Sequence, residues 1–180
     1  MKTLFVLMLS LFTTIAFART PDTVKPGEPL CYGREYSEKH MSSRPKQTVK
    51  MMKLKFYITG EPPYTSLALA VDAKIKRPVK PDPSENSEET TEFVYKDYTT
   101  LMFCEKTGSG KLRCGVECDG GTADIRWSTS NPSKGATLKN NGFVMHGGCG
   151  EEDDPIYLTP TPKGDDVFNL VPLPKEFCQE

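Results

Sequence analysis

With two histidines and one tryptophan in 180 residues, the chain is poor in the residue types that most often carry catalysis. It has no G-x-S-x-G elbow and no complete G-x-x-x-x-G-K-[ST] phosphate loop: Lys111 follows Gly108-Ser109-Gly110, but that turn joins two strands. There is no C-x-x-C pair, and a metal centre built on His40 and His146 would need other ligand types as well. The carboxylates crowd into runs, which does not establish the pair facing across about 5 to 9.5 Å that glycoside cleavage uses. Beyond the N-terminus no stretch approaches the roughly 20 apolar residues of a membrane-spanning helix. A formal charge of −1 leaves no basic excess for nucleic acid. No window carries a sustained helical stripe. No N-x-[ST] acceptor exists, since Asn131 is followed by Pro132, and this favours a bacterial envelope over a glycosylating route.

What is present begins with an export signal. Lys2 precedes the apolar run Leu4 to Leu9, with Leu11 and Phe12 beyond it, and Ala16-Phe17-Ala18 has the small-x-small form cut by signal peptidases. Residues 1–18 are read as a signal peptide, 19–43 as a polar, proline-bearing arm, and 44–180 as one disulfide-stabilised β domain. The expected location is secreted or periplasmic. In an oxidising compartment the six cysteines should pair rather than bind metal or react.

Strand signals follow one another along the domain. Met52, Leu54, Phe56 and Ile58 alternate with Lys53, Lys55 and Tyr57, and Leu67, Leu69, Val71 and Ala73 resume that alternation after Gly60-Glu61-Pro62-Pro63. Pro78, Pro81 and Pro83 mark a long loop. Further strands are expected over 92–104, 112–118, 123–127, 137–146, 156–158 and 167–170. Short turns between them predict an all-β, antiparallel, up-and-down arrangement of about eight strands. A barrel is preferred, and a two-sheet sandwich is the alternative.

Strand spacing also suggests the disulfides. Four residues of extended chain separate Cys114 from Cys118 by about 13 Å, beyond the roughly 4.4 to 6.8 Å that a bridge spans. A turn at Gly108-Ser109-Gly110 sets Cys104 opposite Cys114. A turn at Asn131-Pro132 brings Cys118 towards Cys149, leaving Cys31 and Cys178 to join the termini.

Candidate binding groups are few. Asp119 with Glu151, Glu152, Asp153 and Asp154 offers oxygen ligands that suit calcium, although the spacing is not that of an EF-hand. Calcium is the one candidate cofactor. Tyr98 and Trp127 could line a ligand cavity inside a barrel. Basic residues from Arg44 to Lys55 and from Lys74 to Lys80, against acids from Asp82 to Glu92, form either solvated faces or a polar partner surface.

The Cys-Gly-x-Glu-Cys-Asp-Gly-Gly run at Cys114 to Gly121 and the Gly-Gly-Cys-Gly-Glu-Glu-Asp run at Gly147 to Asp153 resemble small secreted bacterial proteins, across roughly the C-terminal half. This resemblance implies no catalytic or binding residue. The strand order is similar to lipocalin-like and avidin-like barrels without their signature motifs, an analogy of architecture alone. The function expected is that of a non-enzymatic exported binding protein. Its partner would be a small apolar ligand held inside or an envelope molecule on the charged outside. A calcium-binding domain and a secreted hydrolase inhibitor are the alternatives.

Overall fold

The computed structural model describes residues 19–79, 92–147 and 155–178. The fold is all-β and antiparallel. Its strands are β1 (Leu30–Glu35), β2 (Val49–Thr59), β3 (Ser66–Pro78), β4 (Phe93–Gly108), β5 (Lys111–Gly115), β6 (Gly121–Trp127), β7 (Ala136–Gly147), β8 (Ile156–Leu158) and β9 (Val167–Pro172). Strands β1 to β7 pair in sequence order, and β9 pairs with both β7 and β1, so that these eight form a ring. β8 lies outside the ring and pairs with β7 through Phe143↔Leu158 and Met145↔Ile156.

The ring is barrel-like but uneven. β3 and β4 pair from Leu67↔Cys104 to Pro78↔Phe93, whereas β1 and β9 meet only at Tyr32↔Pro172 and Gly33↔Val171. β7 bends where its register with β6 slips between Gly121↔Phe143 and Ala123↔Asn140, and its far end reaches β4 at Tyr98↔Gly147 and Thr99↔His146. Bulges of this kind increase local bend and twist. At the slip Gly121 has φ +94, and an added Cβ would stand 2.0 Å from the Gly142 carbonyl oxygen. Gly121→Ala is therefore expected to cost about 2 kcal/mol or more through strain and displaced backbone, seen as a lowered urea midpoint. An unchanged midpoint would show that the bend is not held by this close approach.

Alternation fills the ring with side chains. Met52, Leu54 and Phe56 of β2 and Leu69, Val71 and Ala73 of β3 point inward against Tyr32, Met102, Leu138, Phe143 and Phe168, all of them buried. The edge-to-face contact of Tyr32 with Phe56, at 6.1 Å between centroids, belongs to this core.

Three sequence expectations change. The segment 19–43 is more than an arm, because β1 pairs with β2 from Leu30↔Phe56 to Glu35↔Met51 and a short helix α1 (Glu38–Ser43) follows, its Ser37 hydroxyl accepting from the His40 amide. Ile156–Leu158 is a strand, but not one of the ring. The strand expected over 112–118 stops at Gly115, since Cys118 and Asp119 adopt φ 57° and 61°, left-handed values that break an extended ladder.

Cys104 and Cys114 face each other in the β4–β5 register and are bonded, with Cα atoms 4.0 Å apart. Cys31 and Cys178 are also bonded, Cα to Cα 5.7 Å. This second bridge lays the C-terminal segment over the outside of β1, where the Leu173 amide donates to the Cys31 carbonyl and Leu173 covers Gly33. Two disulfides fit a protein kept in an oxidising compartment. Among the described residues no helix is long and apolar enough to cross a membrane.

Candidate functional site

The two aromatic residues expected to line a cavity belong to the core. Tyr98 is 4 % and Trp127 8 % exposed, and both pack in the main buried cluster. Each also borders an outer depression: Trp127 one of about 210 Å³ shared with Lys134 and Asn169, and Tyr98 one on the β3–β4 side.

Of the acidic group proposed for calcium, only Asp119 is described, in the turn after β5. Glu151, Glu152, Asp153 and Asp154 lie outside the described residues, as does Cys149. Cys118 is exposed and without a disulfide. Among the described residues no group of three His, Cys, Asp or Glu side chains could hold a metal ion.

The outer face of β2–β3–β4 is different in kind. Outward positions of β2 carry Lys53, Lys55 and Tyr57. Those of β3 carry Ala68, Ala70, Asp72, Lys74 and Lys76, and those of β4 carry Tyr95, Asp97, Thr99, Leu101 and Phe103. This follows from the period of two, because alternate residues such as Leu54, Val71 and Met102 are buried in the core. A cleft of about 360 Å³ is lined by Lys55, Tyr57, Ala70 and Asp72, with Gly27 and Pro29 as its rim. A second, of about 280 Å³, is lined by Met51, Asp72, Asp97 and Thr99. The two clefts meet at Asp72. The larger falls in the size range of small-ligand sites.

Electrostatics on this face are set by the lysines. Lys50 pairs with Glu38 and sits 5.4 Å from the Tyr95 ring centroid. Lys76 stands 4.2 Å over the ring of Phe93, which is 51 % exposed. Lys74 reaches Asp97 at 3.8 Å. Lys53 and Lys55 have no carboxylate partner among the described residues. Asp72 is oriented by the Thr99 hydroxyl, which donates to it at 2.9 Å.

A second polar cluster ties the segment before β9 to the start of β2. Asp165, 2 % exposed, accepts from the Thr48 amide at 2.9 Å, the Thr48 hydroxyl at 2.6 Å and the Val49 amide at 3.1 Å. Burial pushes its carboxyl above the usual carboxylate range, and the Thr48 and Val49 bonds offset that only in part. Buried Asn140 donates to the carbonyls of Asp165 and Leu158 and accepts from the Gly142 amide. On the α1 side, His40 bonds Gln47 at 3.1 Å and stacks on Tyr36. Among the described residues no fully buried side-chain nitrogen or oxygen lacks a hydrogen-bond partner, and the bonds of Asp165 and Asn140 hold neighbouring backbone segments together.

Sequence reasoning missed this cluster, because Gly164-Asp165-Asp166 looks like any solvated turn. It noted the basic runs but not the clefts, which need the register of three strands. Comparison with protein-family models, curated proteins and solved structures finds no match for this chain.

Proposed function

We propose that this is an exported, non-enzymatic binding protein that holds its partner on the outer face of β2–β3–β4. The observation that carries this reading is the pair of clefts joined at Asp72, lined by Lys55 and Tyr57 on one side and by Asp97 and Thr99 on the other, on a ring whose interior at the described residues is occupied by its own side chains. Tyr57 and Leu101 supply apolar contact, Lys53 and Lys55 supply charge, and the sheet beneath holds both rigidly. Crosslinks at Cys31–Cys178 and Cys104–Cys114 serve a scaffold that must keep a surface in shape outside the cell.

Chemical-shift mapping with panels of oligosaccharides, peptides and fatty acids tests the proposal. A binding member is expected to move the amides of Lys53, Tyr57, Ala70, Asp72 and Thr99. Shifts confined to inward residues such as Leu138 and Trp127 would sink it. Turnover of a peptide, ester or glycan that disappears in His146→Ala would sink it equally.

A further inference from the structure

From the same face we infer the chemical class of the partner: an extended anionic polysaccharide lying along β2 and β3. The inference rests on the outer-face reading and adds three observations, namely the order of the lysines, the chemistry between them and the direction of the clefts.

Lys53 and Lys55 are two residues apart on β2, and Lys74 and Lys76 are two apart on β3. The register Lys53↔Asp72 places Lys74 one step beyond Lys53 along the sheet. Successive outward residues of a strand are about 7 Å apart and neighbouring strands about 5 Å. Lys55, Lys53, Lys74 and Lys76 therefore form a diagonal ladder about 20 Å long, crossing from one strand to the next. The two clefts follow the same diagonal, the first beside Lys55 and the second beside Lys74's partner Asp97. Lys55 lines the first cleft, Lys53, Lys74 and Lys76 continue the row on the same face, and Asp72 and Asp97 line the second cleft. A line of ammonium groups thus runs along the grooves with acceptors within them, which suits a linear, hydroxyl-bearing polyanion better than a compact ligand.

Other groups on the ladder choose among polyanions. Tyr57 borders the first cleft, and Tyr95 and Phe93 stand at the far end beneath Lys50 and Lys76. Rings of this kind pack against the C–H faces of sugars. Asp72 lies where the clefts meet, and its carboxylate keeps acceptor capacity beyond the single Thr99 bond. A carboxylate at that point accepts hydrogen bonds from sugar hydroxyls, donors that a polyphosphate chain does not carry along its length. Lysine for carboxylate, tyrosine for the ring face and aspartate for hydroxyl together describe a uronate-type glycan.

Titration with galacturonate oligomers, followed by amide shifts and calorimetry, tests this. Binding is expected at the outer-face amides, weakening as salt rises, since exposed charge pairs are screened. Lys53→Gln and Lys74→Gln should each weaken it by about three- to tenfold, Tyr57→Ala by a similar factor, and Lys111→Gln on β5 should leave it unchanged. Asp72→Ala separates the glycan from other polyanions: it removes an acceptor for sugar hydroxyls and should weaken galacturonate binding, whereas polyphosphate, which has no hydroxyl to donate along its chain, should not bind more weakly. Outer-face shifts that are as large with neutral glucose oligomers or with polyphosphate would overturn the glycan assignment while leaving the outer-face reading intact. No outer-face shift with any of the three would overturn the inference, and the panels under Proposed function would then decide the broader reading.

Discussion

Replacing Cys31 and Cys178 together with serine is expected to lower stability by about 5 kcal/mol, a fall in Tm of about 10 to 20 °C for a domain of this size. The bridge joins residues 147 apart in sequence, and the entropy released to the unfolded chain grows with the length of the closed loop. Cys104–Cys114 closes a separation of only 10, for which the same relation gives about 3 kcal/mol. The order of the two effects is thus set by topology. The long bridge also has a local task. β1 and β9 share only two register pairs, so the ring is thinnest where the C-terminal segment is stapled across it. Hydrogen exchange should accelerate first at the amides of β1 and β9 in the double serine variant. A Tm loss no greater than that of the Cys104/Cys114 serine pair, or exchange that accelerates uniformly, would contradict this account.

Asp165→Ala is expected to cost about 3 to 4 kcal/mol, or roughly 10 °C in Tm. The carboxylate is the partner of the Thr48 and Val49 amides, and its loss leaves both donors without a partner where water is excluded. An orphaned buried donor costs about 1 to 3 kcal/mol. The loop before β9 would also lose its attachment to the start of β2. The effect should depend on pH, with a definite sign. Because the folded carboxyl titrates above its ordinary range, the fold favours the protonated form. The stabilisation tied to that shift is complete below the unfolded pKa and is lost as pH rises through the folded value. Urea midpoints of wild type and Asp165→Asn, compared from pH 4 to 7, should therefore diverge, with wild type losing relative stability as pH rises. Parallel curves would show that the carboxyl titrates normally.

The legible and illegible parts of this fold differ in the range over which each was determined. β2 and β3 were readable because a half-buried strand repeats every two residues, so Met52-Leu54-Phe56 and Leu69-Val71-Ala73 announce their faces locally. The Cys104–Cys114 bridge was readable because a tight hairpin makes register a local matter. β1 was not, since its outside is covered by the C-terminal segment: Cys31, Tyr32 and Gly33 are all buried, and a strand buried on both faces shows no alternation. The strand expected to run on to Cys118 failed at a left-handed turn that no residue type demands. Cys118–Cys149 and the acidic turn after it fall on residues outside the described set, apart from Cys118 and Asp119.

From the sequence by itself came the all-β class, the antiparallel order of most strands and the pairing of Cys104 with Cys114, because each depends on neighbours along the chain. Tertiary structure alone decided that β9 returns to β1 and leaves β8 outside the ring. It also decided that Asp165 is buried and that four lysines from two strands fall into one line beside a shared groove. Those features depend on residues far apart in the chain, Thr48 and Asp165 by 117 positions and Tyr32 and Pro172 by more, and only register and closure, set by burial of the whole core, bring such residues together.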